Sequence, residues 1–296
     1  MNFGGALDGD GGEPGAWLEE RHFDVVREAG FDTVRLPVKW SAHMGASPPY
    51  SVDAAFFYRV DWAVECVLRR DLNVVLDVHH FDELSVDTER HTARFLALWS
   101  QIATRYASVG PGLCFELFNE PHDPMTVGDW NELLADVLAV VRISNPERTV
   151  IAGPTRWNTV DTLMGLRLPD DAHLIVTVHY YSPFRFTHQG AGWLEGADEC
   201  LGTTWGTDAE RARVRTDLTR ASAWAQRRGR PLFLGEFGVH STVSIAARAT
   251  WTTLVRSEAE RLGMSWAYWD FATDFGAFDV DRDAWRAPLK EALLGV

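Results

Sequence analysis

Short apolar, β-branched runs alternate along the chain with longer amphipathic stretches, the pattern of repeated strand–helix units around a parallel sheet. Eight runs read as strands: Asn2 to Gly5, Thr33 to Pro37, Asn73 to Val78, Leu113 to Phe118, Thr149 to Ala152, Leu174 to Val178, Leu232 to Gly235 and Ser265 to Trp269. Between them apolar residues recur at helical spacing. In Asp53 to Arg70 the face is Phe57, Val60, Val64, Val67 and Leu68, and further on it is Trp130, Leu133, Leu134, Val137, Leu138 and Val141. Helices are also expected over Trp17 to Ala29, His91 to Ala107, Asp208 to Arg228, Val243 to Leu262 and Trp285 to Leu294, with a weak fifth unit near Asn158 to Leu166. Gly30, Gly110, Gly229 and Gly263 stand where left-handed helix terminators belong. The expected architecture is α/β, a (β/α)8 TIM barrel forming one domain over residues 1–296. An open doubly wound sheet would place a phosphate loop after its first strand, and Gly9, Gly11, Gly12 and Gly15 lack that spacing.

Composition narrows the class of ligand. A hydrophobic fraction of 46% is ordinary for a globular chain, but 13 Trp exceed what a core needs, and some are expected to face a ligand. A net charge of −14 disfavours nucleic acid and anionic membrane as partners and weakly disfavours polyanionic substrates. Cys66, Cys114 and Cys200 form no C-x-x-C, so neither a zinc site nor a disulfide framework is expected; Cys66 and Cys114 read as core thiols. No stretch approaches a membrane span, and no basic segment followed by an apolar run opens the chain. That reading is cytoplasmic for the chain as given, or secreted if a leader precedes it.

Reactive residue types fall repeatedly at strand carboxyl ends, the address of a barrel's open cleft. Arg35 lies in the second strand, His79 and His80 end the third, Asn119-Glu120-Pro121 the fourth, His179 and Tyr181 the sixth, Glu236 the seventh and Trp269 the eighth. Glu120 and Glu236 come from strands on opposite sides of such a barrel mouth. Two carboxyl groups are what glycoside hydrolysis needs, one to protonate the leaving oxygen and one to attack the anomeric carbon or activate water. The bland alternative is a helix cap at Asn119/Glu120 and a surface Glu236. His79 and His80 could ligate a metal, but neighbours on a strand point to opposite faces, so sugar hydroxyl contact is preferred. Trp40, His188, Trp193 and Trp205 are candidates for outer sugar sites. Neither metal nor cofactor is expected.

Arg35 in T-V-R-L-P, Asn119-Glu120-Pro121, His179-x-Tyr181, Gly235-Glu236-Phe237-Gly238 and Trp269, in this order, resemble glycoside hydrolase family 5. The likeness continues through W-S-A-H from Trp40, H-H-F-D-E-L from His79, H-Y-Y-S-P-F from His179, F-T-H-Q-G-A from Phe186 and Y-W-D-F from Tyr268. It is similar to the bacterial branch acting on cellulose-type β-glucans and often β-mannans. The resemblance implies a retaining endo-β-1,4-glycanase with Glu120 as acid/base and Glu236 as nucleophile, the carboxyl groups about 5–5.5 Å apart. It implies Asn119 on the sugar 2-hydroxyl, Arg35 holding Glu236 ionised, Tyr181 donating to the same carboxylate, His179 supporting the acid/base side and Trp269 facing the reacting sugar. The expected partner is a β-linked polysaccharide or oligosaccharide, and the expected state a monomer. Gly4-Gly5-Ala6-Leu7-Asp8 departs from the family's G-N-A-L-E, which weakens the transfer of contacts there. A barrel that binds sugar without catalysis, and a metal-dependent hydrolase using His79, His179 and Glu236, are the competing readings.

Overall fold

In the computed structural model, which describes residues 1–9 and 17–295, the chain divides into two compact units, Gly5–Thr177 and Met1–Gly4 with Val178–Val296. The glycine-rich segment at Gly11, Gly12 and Gly15 lies outside the described residues. No helix among the described residues is long and apolar enough to cross a membrane.

Within Gly5–Thr177 the apolar runs become parallel strands in chain order: β1 (Thr33–Val38), β2 (Asn73–Val78), β3 (Leu113–Glu116), β4 (Val150–Ala152) and the first four residues of β5 (Leu174–His179). Thr33 lies opposite Asn73, Val74 opposite Leu113, Phe115 opposite Val150 and Val150 opposite Leu174. Parallel neighbours require long crossovers. The helices here are α1 (Glu20–Glu28), α2 (Ala54–Leu68), α3 (Asp82–Val86), α4 (Thr88–Arg105) and α5 (Val127–Ser144). In α2 the buried set Phe56, Phe57, Val60, Ala63, Val64, Cys66 and Val67 holds four of the five predicted positions, Leu68 being half-buried. Asp53 accepts from the Phe56 amide at 2.9 Å, and Thr126 and Asp129 form a reciprocal capping box, each such cap stabilising its helix by about 1 kcal/mol.

The weak fifth unit is not an ordinary helix. It is a short turn, α6 (Thr155–Asn158), followed by a 3-10 segment, Val160–Gly165. Arg156, Trp157 and Asn158 carry φ of +58°, +58° and +54°, which a helix cannot accommodate. Gly30, Gly229 and Gly263 take the left-handed conformation expected of terminators, whereas Gly110 does not.

The other unit holds α7 (Phe184–Thr187), α8 (Asp208–Arg227), β6 (Leu232–Glu236), α9 (Ile245–Arg261), β7 (Ser265–Trp266) and α10 (Ala287–Leu294). β6 runs parallel to β7 with Phe233 opposite Ser265, and a hairpin that the periodicity did not predict joins β8 (Phe278–Asp279) to β9 (Ala284–Trp285). The expected first strand, Asn2 to Gly5, is not a strand among the described residues. Asn2 nevertheless does a strand's pairing: its amide donates to Tyr268 O at 3.0 Å, and its carbonyl accepts from Phe271 N at 2.9 Å. Its buried side chain also donates to Gly235 O at 2.9 Å and Tyr268 O at 3.1 Å, tying the ends of β6 and the segment after β7 together. Gly4 must lack a side chain, because a Cβ there would sit 2.8 Å from the Trp269 ring.

Candidate active site

In Gly5–Thr177 the candidate residues cluster at the carboxyl ends of β1 to β3 around one buried cation. Arg35, fully buried, donates through Nε to Glu116 Oε2 at 2.6 Å and through Nη2 to Glu116 Oε1 at 3.0 Å and Asn119 Oδ1 at 2.8 Å. The same Nη2 lies 3.0 Å from Asp77 Oδ2. That oxygen also lies 2.6 Å from His79 Nδ1, and His79 Nε2 lies 3.4 Å from Asn119 Nδ2. Burial pushes the Asp77 carboxyl up to about 7, a rise that Arg35 opposes and nearby Glu120 reinforces.

Glu120 stands at φ +50°, just beyond Asn119. Its carboxyl is also pushed up to about 7, chiefly by burial, against the pull of Arg35 and His122 and with a further push from Glu116. It lines a cavity of about 220 Å³ with His80, Phe81, Asp82, Phe118, Asn119, His122 and Trp157. Trp157, 48% exposed, stacks on His122 with ring centroids 5.5 Å apart and planes 8° from parallel. The non-glycine residues His80, Glu120, Arg156, Trp157 and Asn158 all carry positive φ near this cavity, and such strain gathers where function requires an unusual backbone.

His80 also revises an expectation. Because its φ of +48° leaves the strand conformation, its ring is not sent to the face opposite His79: the two ring centroids are 4.3 Å apart. With Asp8 they form a group whose ligand atoms lie within 4.8 Å of one another. Trp40 is a clear correction. Expected at an outer sugar site, it is wholly buried, packed on Phe56 and Phe57, with its indole N–H donated to Asp77 O at 3.2 Å.

In the other unit, Glu236 ends β6, and its Oε2 accepts from the Tyr181 hydroxyl at 2.8 Å while His179 Nδ1 lies 3.5 Å away. Gly238 follows because a Cβ there would collide with the Trp269 carbonyl. Trp269 itself is partly exposed, and Trp193 is 60% exposed. An aromatic belt runs from Trp193 to His240 (centroids 5.4 Å apart), Phe275 (5.5 Å from His240), His188 (5.2 Å from Phe275) and Tyr181 (4.9 Å from His188). Desolvation, helped by His240, lowers His188 to about 4, so its ring is neutral near pH 7. Trp205 stacks on Phe186 as a packing residue, with the Arg211 guanidinium over its ring. The motif at Phe186 to Ala191 turns on Gln189, buried and bonded to Phe186 O, Thr203 O and Gly202 N.

Sequence reasoning missed Asp77, Glu116, His122, Trp157, His240 and Phe275. The strand-end address would have marked Asp77, two residues before His79, and His122, two after Glu120. Nothing in the local pattern marked Trp157 or Phe275.

Parallel strands alternating with helices, with carboxyl groups at the strand ends, fit a (β/α)8 barrel, and comparison bears out that class. The structure of Thermotoga maritima Cel5A in complex with cellobiose matches with a TM-score of 0.97 at 41% identity, covering 99% of this chain and 96% of that one. The same protein with mannotriose matches at 0.96, with the same identity and coverage. The sequence profile described as Cellulase (glycosyl hydrolase family 5) matches residues 11–274, and the chain belongs to that family. Endoglucanase H of Acetivibrio thermocellus is 33% identical over 270 residues, 90% of this chain but 29% of that relative's length.

Proposed function

We propose that the chain is a single-domain, monomeric, retaining endo-β-1,4-glycanase that hydrolyses internal bonds of cellulose-type glucans, with β-mannan as a second substrate. The observation carrying this reading is the contrast between two strand-end glutamates. Glu120 is held up near 7 by burial, while Glu236 accepts a hydroxyl donor that favours its ionised form. A carboxyl kept protonated can donate to the leaving oxygen, and one that accepts a hydrogen bond is arranged to act as a carboxylate nucleophile. Thermotoga maritima Cel5A, complexed with cellobiose and with mannotriose, supports both substrate classes.

In this mechanism the Glu236 carboxylate attacks the anomeric carbon as the glycosidic bond breaks, and the Glu120 proton passes to the departing oxygen. Water, deprotonated by the resulting Glu120 carboxylate, then attacks the same carbon and releases Glu236. Asn119 meets the sugar 2-hydroxyl, where bonding strengthens as oxocarbenium character develops.

Trapping with azide on an activated aryl glycoside tests the assignment. Glu236→Ala should yield the α-glycosyl azide, and Glu120→Ala should yield the β-anomer through the intact covalent intermediate. Swapped anomers reverse the two roles, and net inversion by the unmodified enzyme rules out the double displacement.

A further inference from the structure

Arg35, Asp77, His79 and Asn119 close a ring of hydrogen bonds. Arg35 Nη2 lies 3.0 Å from Asp77 Oδ2 and donates to Asn119 Oδ1 at 2.8 Å, His79 Nδ1 lies 2.6 Å from the same Asp77 oxygen, and Asn119 Nδ2 lies 3.4 Å from His79 Nε2. One carboxyl oxygen therefore sits between a guanidinium and an imidazole. All four side chains are buried, so each orientation is held against its alternatives.

We propose that Asp77 is a positioning residue: by fixing the tautomer of His79 it sets which way the Asn119 amide faces the sugar. Above about pH 7, where Asp77 is ionised and can only accept, its carboxylate at Nδ1 requires the proton there, which makes Nε2 a lone-pair acceptor. Nε2 then selects the NH2 end of the Asn119 amide, while Arg35 selects its oxygen. Two independent constraints agree on one amide orientation and leave its other N–H to meet a 2-hydroxyl. The opposite tautomer would aim an N–H at Asn119, turn the amide over and set its NH2 against Arg35, donor against donor. Asp77 touches no substrate in this scheme. It acts at two removes, through the His79 imidazole and the Asn119 amide.

This inference rests on the reading of Asn119 as the 2-hydroxyl partner, and the experiment separates the two. Two aryl β-cellobiosides with the same leaving group are compared, one bearing a 2-hydroxyl on the reacting sugar and one 2-deoxy. Asn119→Ala should lower kcat/KM on the hydroxylated substrate on the order of 10²-fold and much less on the deoxy one. Asp77→Leu should show the same selective loss, and the double variant should be no worse than Asn119→Ala alone. Asp77→Asn, whose carbonyl oxygen can accept from both donors, should recover most of the ratio.

If Asn119→Ala leaves the substrate ratio unchanged, the underlying reading fails. If Asn119→Ala moves the ratio and Asp77→Leu does not, the inference fails alone. Should Asp77→Leu not fold, nitrogen NMR on the unmodified protein decides, with the His79 signals assigned by their loss in His79→Gln. Protonated Nδ1 with a bare Nε2 supports the inference, and a proton on Nε2 overturns it.

Discussion

The Tyr181 hydroxyl donates to Glu236 Oε2 at 2.8 Å, joining the loop after β5 to the end of β6. A hydrogen bond to the charged form of a carboxylate favours that form and holds the attacking oxygen in one position, and both effects are measurable. Tyr181→Phe should move the acid limb of the kcat/KM profile to higher pH, because Glu236 would protonate more readily. Turnover should fall about 10- to 100-fold. An unmoved acid limb would separate Tyr181 from the titration of Glu236.

Glu120 makes the opposite prediction. With its carboxyl near 7, activity on substrates with poor leaving groups should decline as pH rises through that value, because the acid has lost its proton. Substrates with good leaving groups should lack this limb. Stability follows the same sign: below about 4.5 the group is protonated folded and unfolded alike, while above about 7 the folded state carries an unfavourable carboxylate. Glu120→Gln should therefore raise the melting temperature, by an amount that grows from pH 4.5 to 7 and then levels. A gain largest at acid pH would contradict the assignment.

Trp157 and Trp193 should differ in what they bind. Under the proposed mechanism Trp157, stacked on His122 and lining the cavity beside Glu120, would meet the leaving-group sugars. Trp157→Ala should weaken KM for long oligosaccharides and spare small aryl cellobiosides. Trp193→Ala should raise KM on both with little change in kcat, whereas Trp269→Ala should lower kcat strongly. Product analysis on defined oligosaccharides distinguishes these patterns.

Trp40 should behave as a core residue. Its burial on Phe56 and Phe57 predicts that Trp40→Ala destabilises by about 3–5 kcal/mol. KM for the folded fraction should stay within about twofold of the parent. A large rise in KM at unchanged melting temperature would restore it to the sugar site.

The group of Asp8, His79 and His80 invites a check for metal. Because the proposed double displacement needs only carboxyl groups, prolonged chelation should leave turnover unchanged. Loss of activity restored by one divalent ion would overturn that.

Hydrophobic periodicity marked β1 to β6 within a few residues and the buried face of α2, because burial between layers imposes its own period on the chain. The two glutamates, Asn119 and Tyr181 were legible because strand ends carry short motifs in which reactive types stand out against apolar runs. Three things were decided only in three dimensions. Trp40 and Trp193 are chemically alike in the sequence, yet one fills a gap between α2 and β2 and the other stands in solvent, since burial depends on what the rest of the chain brings beside each ring. His80 escaped the alternation of a strand because its backbone turns to positive φ. Asp77 gained its place between Arg35 and His79 from the register of β1 against β2, a pairing of segments 40 residues apart that no local pattern encodes.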